Sequence, residues 1–251
     1  MGKKGTYGVI AAMKIEAEHI VAAMEEARSE TVGGIEFTVG KIRMANEHAG
    51  GEIGEADVIV AVCGIGKVFA AMCAQTMIVK YHPGCIINTG VAGSLSPDIG
   101  VGDVVIAEDV VEHDFDTSAF GDPVGLIPTL NVVKMHCSDK LRMSVLRNAA
   151  ETVLAGTDSN VFTDRVIATG DQFIADSAKK RWIVDTFGAS ACEMEGGAIG
   201  QVCTANQIPF AVVRTISDSA DGGAVEDYPS FAKRSAEISA KIVLRAVTLI
   251  F

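Results

Sequence analysis

The sequence predicts an α/β fold, a three-layer sandwich with a central mixed, mostly parallel twisted sheet and helices on both faces. Short runs rich in Val and Ile alternate along the chain with longer segments of helical periodicity, the pattern of strands joined by crossover helices. Several of these runs are nearly continuous in apolar residues, as strands covered on both faces are. The composition fits a sizeable core: 251 residues, 49% hydrophobic and 21% charged, with a mean hydropathy of +0.31, exclude both disorder and a collagen-like repeat.

Tyr7 to Ala12, built on Val9-Ile10, reads as the first strand, and Lys14 to Arg28 as the first helix. Gly33-Gly34 and Gly50-Gly51 flank a hairpin, so part of the sheet is antiparallel. Ala56 to Cys63, with Val58-Ile59-Val60, is a strand, and Lys67 to Tyr81 a helix. Cys85 to Thr89 and Asp103 to Val111 are strands, followed by a helix over Ser138 to Leu154 and a strand over Val161 to Ala168. Asp176 to Phe187 and Glu195 to Asn206 are helices, Pro209 to Ile216 is the last strand, and Tyr228 to Thr248 the last helix. No Pro/Ser-rich linker, charge block or internal repeat interrupts residues 1–251, which read as a single domain.

Acidic residues outnumber basic ones 32 to 21, for a formal charge of -11 and a pI near 4.9. No basic surface is offered to nucleic acid or to an anionic membrane. Met1-Gly2-Lys3-Lys4 has the look of a signal n-region, but the apolar stretch Tyr7 to Met13 meets Lys14 and Glu16 with no cleavage site following. No other segment approaches the roughly 18 to 20 apolar residues of a membrane span. The expectation is a soluble, cytoplasmic protein. Cys63, Cys73, Cys85, Cys137, Cys192 and Cys203 occur singly, without a Cys-x-x-Cys, and read as free thiols in a reducing compartment.

In sheets of this kind ligands bind beyond the carboxyl ends of the strands, and the unusual residues cluster there. Gly64-Ile-Gly-Lys67 and Thr89-Gly-Val-Ala-Gly93 each follow a Val/Ile strand, where glycines let backbone N–H groups approach a ligand. Neither completes a phosphate loop or a Gly-x-Gly-x-x-Gly fingerprint, and a plain tight turn explains either one alone. In Cys192-Glu-Met-Glu-Gly196 two carboxylates flank a Met where an apolar helix begins. The helix dipole accounts for one of them as a stabilising N-terminal carboxylate, and for two less well. Arg214-Thr-Ile-Ser-Asp218 places a guanidinium, a hydroxyl and a carboxylate at the rim of a buried strand, with a surface Arg–Asp pair as the bland alternative. His113, Asp114 and Asp116 lack the second histidine of a zinc helix and the rhythm of a calcium loop. No His stands at a triad spacing from a Ser or Cys.

Taken in order, these segments resemble the purine nucleoside phosphorylase and hydrolase superfamily, and within it the 5′-methylthioadenosine/S-adenosylhomocysteine nucleosidases. The residues are Gly8-Val-Ile-Ala-Ala-Met-Lys-Ile-Glu16, Gly64-Ile-Gly-Lys-Val68, Ile87-Asn-Thr-Gly-Val-Ala-Gly93, His113-Asp-Phe-Asp-Thr-Ser-Ala-Phe120, Thr169-Gly-Asp-Gln-Phe-Ile174, Glu193-Met-Glu195 and Val213-Arg-Thr-Ile-Ser-Asp218. They extend over nearly the whole chain, and the ordered set is specific where each member is weak.

The resemblance implies hydrolysis of the N-glycosidic bond of an adenine thioribonucleoside, with no cofactor and no metal. Breaking that bond leaves positive charge on the ribosyl ring and negative charge on the purine, so the site needs an acid at the base and a water opposite it. By the family pattern Asp218 is the acid that protonates adenine N7, a task that burial beside Val212 and Ile216 would assist by raising its pKa. Glu16 activates the water, and Glu195 grips the ribose hydroxyls, helped by Met194 and Arg214. Ser217 orients Asp218. Phe173 stacks on the adenine while the backbone of Ile174 reads its edge. The same pattern places Ile65, Val91, Ala92, Gly93 and Glu193 at the substrate. The alkylthio group calls for apolar walls, for which Met13, Phe120, Tyr228 and Phe231 are candidates. The resemblance also implies a homodimer in which Phe120 reaches the neighbouring site, although the residue type alone reads as core.

This chain departs from the pattern at Val91, where many nucleosidases carry a Ser that helps hold the water, and at Tyr228, where Phe is common. Residues 42–57 form a longer stretch than in typical relatives. Other readings stay open: a futalosine-type nucleosidase differing only in the 5′ pocket, a phosphorylase of the same fold, and a non-catalytic nucleoside-binding protein. The phosphorylase reading is disfavoured by charge, since Glu16 would repel a phosphate dianion and residues 89–94 carry no Arg.

Overall fold

Val9 and Ile10 are both fully buried although they point to opposite faces of their strand, which requires that strand to lie inside a sheet covered on both sides. The computed structural model describes residues 5–46, 52–220 and 224–249. Among the described residues ten strands are formed: β1 (Thr6–Ala11), β2 (Glu25–Val32), β3 (Ile35–Asn46), β4 (Glu52–Val62), β5 (Cys85–Ser94), β6 (Val104–Glu112), β7 (Met135–His136), β8 (Val161–Thr169), β9 (Ala189–Glu193) and β10 (Phe210–Asp218). The helices are α1 (Lys14–Ala22), α2 (Lys67–Tyr81), α3 (Arg147–Val153), α4 (Ser177–Phe187), α5 (Gly196–Asn206) and α6 (Ala224–Leu249).

β1 runs parallel to β4 on one side and β5 on the other, with Val9 opposite Val60 and Ile87. β10 pairs parallel with the free side of β5, Val213 opposite Thr89. From β10 the sheet continues antiparallel into β6, then parallel into β8 and β9. β9 returns to the far end of β5, where Gly93 and Ser94 pair with Cys192 and Ala191. β5, β10, β6, β8 and β9 therefore close into a ring, and β1, β4, β3 and β2 extend from it as an open wing. The closure draws the carboxyl ends of β5, β9 and β10 together.

Neighbouring residues of the central strands divide between two cores, as a period of two demands. Ile10, Ile59, Ile86 and Val212 pack with Ala74 and Met77 of α2 and Ile199 of α5. Val9, Val58, Ile87 and Val213 pack with Ala17 and Ile20 of α1, Ala149 of α3 and Val243 of α6. A third cluster seats α4 on β8 and β9 through Ile183, Phe187 and Val166. The sheet is thus covered on both faces, as expected, with its parallel centre at β4-β1-β5-β10 and its antiparallel pairings toward β2-β3 and within the ring.

Several boundaries differ from expectation. The first helix ends at Ala22, and residues 25–28, expected as its last turn, open β2. Seven of the eight residues of β2 are exposed; a charged sheet-edge strand carries neither Val/Ile density nor alternation, so its sequence gives no strand signal. The helix expected over 138–154 is two pieces, a π-helical segment Lys140–Leu146 running into α3. The Thr89–Gly93 segment is part of β5 rather than a turn after it, and every residue of β5 is buried. Gly33 and Gly34 form the β2–β3 turn, with φ of 59° and 81° that only glycine adopts freely at both positions. Gly50-Gly51 lies outside the described residues, although β3 and β4 pair antiparallel up to Asn46 and Glu52. All six cysteines are buried free thiols. Among the described residues no helix is long and apolar enough to cross a membrane.

Candidate active site

A cavity of about 360 Å³ opens at the carboxyl ends of β1, β4, β5, β9 and β10. Ala12, Met13 and Glu16 line one side, Val91, Ala92 and Gly93 of β5 the back, and Cys192, Glu193, Met194 and Glu195 a second side. Arg214, Ser217 and Asp218 of β10, together with Ile65, Phe173 and Tyr228, complete the wall. Residues expected at the substrate from seven separate segments of the chain thus meet in one place. Ile174 adjoins this cavity in a small side recess shared with Phe173, Met194 and Asp218. Phe120 and Phe231 are not in its wall. Phe120 sits in the turn Ser118–Phe120 with 89% of its surface exposed, which overturns its reading as a core residue. Ala12 and Cys192 line the cavity without having been expected there.

Glu16, in the first turn of α1, is folded back on the chain before it. Its Oε2 accepts hydrogen bonds from Ala12 N (2.9 Å) and Met13 N (2.8 Å), and Oε1 accepts one from Val91 N (3.1 Å). Val91 therefore contributes its backbone to Glu16 while its side chain, in place of the expected Ser, gives an apolar wall. Burial raises the Glu16 pKa above the usual carboxylate range, against the pull of Arg214 and the three N–H donors. Gly90 is fixed by the same packing: a Cβ there would collide with both Arg214 Nη1 and Glu16 Oε1.

Glu193 and Glu195 divide the two tasks that their sequence left merged. Glu193 Oε2 accepts from Glu195 N (3.0 Å) and Gly196 N (2.7 Å), which makes it the carboxylate that caps α5. It also takes hydrogen bonds from Thr169 Oγ1 and from Arg214 Nη2. Glu195, in the N-cap position, turns away toward the cavity, where its Oε1 accepts from Gly66 N at 2.9 Å and its Oε2 lies 3.5 Å from Arg214 Nη2. Burial, only partly offset by Arg214 and reinforced by Glu193, pushes the Glu195 pKa up to about 7.

Arg214 is 1% exposed. It does not form the surface Arg–Asp pair: its guanidinium is held by Glu193, Glu195 and Asn88 Oδ1 inside the sheet. Asn88 in turn donates to Ile10 O (3.0 Å), joining β1, β5 and β10. A lone amide in the apolar run Ile86-Ile87-Asn88 was the available signal for this residue, because a buried amide must find partners. Asp218 ends β10 with Oδ2 accepting from Ser217 Oγ (2.9 Å) and Oδ1 from Ala220 N (2.9 Å). Opposite, Phe173 and Tyr228 meet edge to face at 5.7 Å, and the Tyr228 hydroxyl donates toward Met13 Sδ at 3.4 Å. Burial, with the facing charges of Glu16, Asp218 and Glu195, raises the Tyr228 pKa and keeps that hydroxyl a donor.

Among the described residues, four carboxylates and one guanidinium thus face the cavity, and the guanidinium is already paired twice. Of the lysines around the cavity, Lys67 is held by Glu112 (2.9 Å) and Asp114 (2.7 Å), and Lys180 Nζ donates to Ser219 O (2.6 Å). Such a wall repels an incoming anion and favours a developing cation. Of His113, Asp114 and Asp116, Asp114 is engaged by Lys67 and Asp116 by Ser118 N, whereas neither ring nitrogen of the buried His113 has a hydrogen-bond partner among the described residues.

Residues 6–248 match the family described as the phosphorylase superfamily. A 5′-methylthioadenosine/S-adenosylhomocysteine nucleosidase of Shewanella pealeana is 36% identical over 246 residues, covering 94% of this chain and 96% of its own. The nucleosidase of that name from Neisseria meningitidis, solved in complex with methylthio-immucillin-A, superposes with a TM-score of 0.87 at 33% identity, over 97% of this chain and 99% of its own. A futalosine hydrolase of Helicobacter pylori gives 0.83 at 32% identity, over 96% and 97%. The chain belongs to the phosphorylase superfamily and, within it, to the family of the 5′-methylthioadenosine/S-adenosylhomocysteine nucleosidases.

Proposed function

We propose that this chain hydrolyses the N-glycosidic bond of 5′-methylthioadenosine, S-adenosylhomocysteine and related 5′-substituted adenosines, releasing adenine and the thioribose. The observation that carries the reading is the charge of the cavity wall: four carboxylates around one guanidinium that Glu193 and Glu195 already neutralise. Phosphate as nucleophile would enter as a dianion against that wall, whereas water enters uncharged.

As the bond breaks, electrons withdraw into the purine and Asp218 delivers a proton to adenine N7. Ser217 Oγ and Ala220 N fix the orientation of its carboxyl. Glu195 accepts the ribose hydroxyls and, with Glu16, stabilises the positive charge that develops on the ring. Glu16, its pKa raised by burial, takes the proton from the attacking water. Phe173 offers its face to the adenine, Ile174 the backbone that reads its edge, and Met13 with Tyr228 the wall for the 5′ substituent.

Two observations favour a second reading, a futalosine-type nucleosidase: the Helicobacter pylori neighbour, and the Tyr228 hydroxyl at the end of the pocket where an alkylthio group needs none. Adenine release from methylthioadenosine, S-adenosylhomocysteine, 5′-deoxyadenosine and aminodeoxyfutalosine, compared in one assay, tests the choice. The first reading expects the highest kcat/KM among the thioribonucleosides. A preference of tenfold or more for aminodeoxyfutalosine would transfer the assignment, and absence of turnover on all four would leave a nucleoside-binding protein.

The proposal includes a homodimer. Ile65, Val68, Phe69 and Met72, at the start of α2 beside the cavity, are 44–68% exposed, a contiguous apolar patch of the kind that marks an interface. In such a dimer Phe120, exposed on its turn, reaches into the neighbouring cavity. A cytoplasmic location, a place in methionine salvage and a chain acting as one domain belong to the same proposal.

A further inference from the structure

Lys67 stands where helix physics disfavours it. It is the first residue of α2, whose opening turn holds no acidic side chain, so a cation sits at the positive end of the helix dipole. Its partners lie at the end of β6 and on the loops after β6 and β8. Nζ reaches Glu112 Oε2 at 2.9 Å and Asp114 Oδ1 at 2.7 Å, and Glu112 is buried. Its backbone N donates to Asp171 Oδ1 (2.8 Å), and Asp171 N donates to Asp114 Oδ2 (2.8 Å). A closed ring thereby ties the loop after β4 to those after β6 and β8. Immediately before Lys67, Gly66 is held at φ 99°, where a Cβ would stand 3.0 Å from Asp171 Oδ1. In that conformation Gly66 N points at Glu195 Oε1, 2.9 Å away.

We propose that Lys67 is a positioning residue for Glu195: clamped by Glu112 and Asp114, it fixes residues 64–67 so that Gly66 N–H stays on the Glu195 carboxylate. The proposal rests on reading Glu195 as the carboxylate that grips the ribose. A hydrogen bond to the charged form of a carboxylate favours that form, so the clamp opposes the rise that burial imposes on the Glu195 pKa and favours the form that accepts best from the ribose hydroxyls. The other groups facing Glu195 come from every side: Arg214 on β10, Glu193 on β9, Glu16 on α1, Cys63 after β4 and Tyr228 on α6. Lys67 itself faces Glu112, Asp114, His113 and Asp171. Lys67→Met also removes a positive charge, whereas Lys67→Met/Glu112→Gln removes one charge of each sign and leaves the net charge unchanged, so a shift in the double variant reports the Gly66 contact.

The test is the carboxyl ¹³C NMR titration of Glu195 in the unliganded protein, assigned by comparison with Glu195→Gln. In Lys67→Met the midpoint is expected to rise by about one pH unit, the effect of losing one hydrogen bond to a charged group. Lys67→Arg, which keeps the charge, is expected to restore it. Removing one member of a buried pair strands the other, so Lys67→Met/Glu112→Gln, which leaves no unpaired Glu112, carries the same measurement if the single variant does not fold. A midpoint in either folded variant that coincides with that of the unsubstituted protein would overturn the proposal. Because the titration needs no turnover, that failure is separate from failure of the nucleosidase reading, which would show as no adenine release by the unsubstituted chain.

Discussion

Asp218 carries the heaviest assignment of any residue in the cavity, and replacing it tests the assignment at the atom concerned. Asp218→Asn retains an oxygen for Ala220 N but has no acidic proton to deliver, so kcat for adenine release is expected to fall by about 10² to 10⁴ with an unchanged circular dichroism spectrum. A fall of less than about threefold would remove Asp218 from the role of acid. Glu195 makes a prediction about stability. Its pKa is raised in the folded protein to about 7 from a reference value of 4.5, so between those values the native state binds more protons than the unfolded one, and stability falls as pH rises through that window. Glu195→Gln, always neutral, is therefore expected to have a higher Tm than the unsubstituted protein at pH 8 and to lose most of that advantage at pH 4.5; an equal or lower Tm at pH 8 would contradict it. The acidic residues themselves were legible in the sequence, because each stands out beside an apolar run. Their partners were not: Ala12 N, Val91 N and Gly66 N are backbone donors, and a backbone donor has no letter.

At the scale of elements, β5 shows where pattern and structure part. Thr89-Gly-Val-Ala-Gly93 has the look of a turn because glycines normally punctuate strands, yet the strand continues to Ser94. Gly90 is there because Arg214 and Glu16 fill the space that a side chain would take. Gly90→Ala is thus expected to lower stability by about 1 to 3 kcal/mol through overpacking and to depress turnover by displacing Glu16; a variant with wild-type Tm and activity would contradict this packing. The division of α1 from β2 was beyond sequence reasoning for the opposite reason. Residues 25–28, three of them charged, are all exposed, and only pairing with β3 makes them a strand. The Val- and Ile-rich centres of the long buried strands, whose side chains face two cores, were legible, while the ends of β4, β5 and β10 run beyond them.

For the whole molecule, the closed ring β5-β10-β6-β8-β9 gathers functional groups from distant parts of the chain, a topology that alternating strand and helix patterns do not specify. The exposed Phe120 carries the claim about assembly. A homodimer is expected by analytical ultracentrifugation, and Phe120→Ala is expected to raise KM for methylthioadenosine several-fold while kcat changes little, since an apolar wall contributes binding shared by ground and transition states. A monomeric, fully active protein would sink that part of the account. The central claim is hydrolysis, which follows from a cavity wall whose charged groups, among the described residues, are four carboxylates and the already paired Arg214. It is tested most directly by following methylthioadenosine in phosphate-free buffer and again with phosphate added. The account expects full turnover without phosphate, no acceleration when phosphate is present, and free methylthioribose as the sugar product in both. Turnover that requires phosphate and yields the sugar 1-phosphate would contradict it.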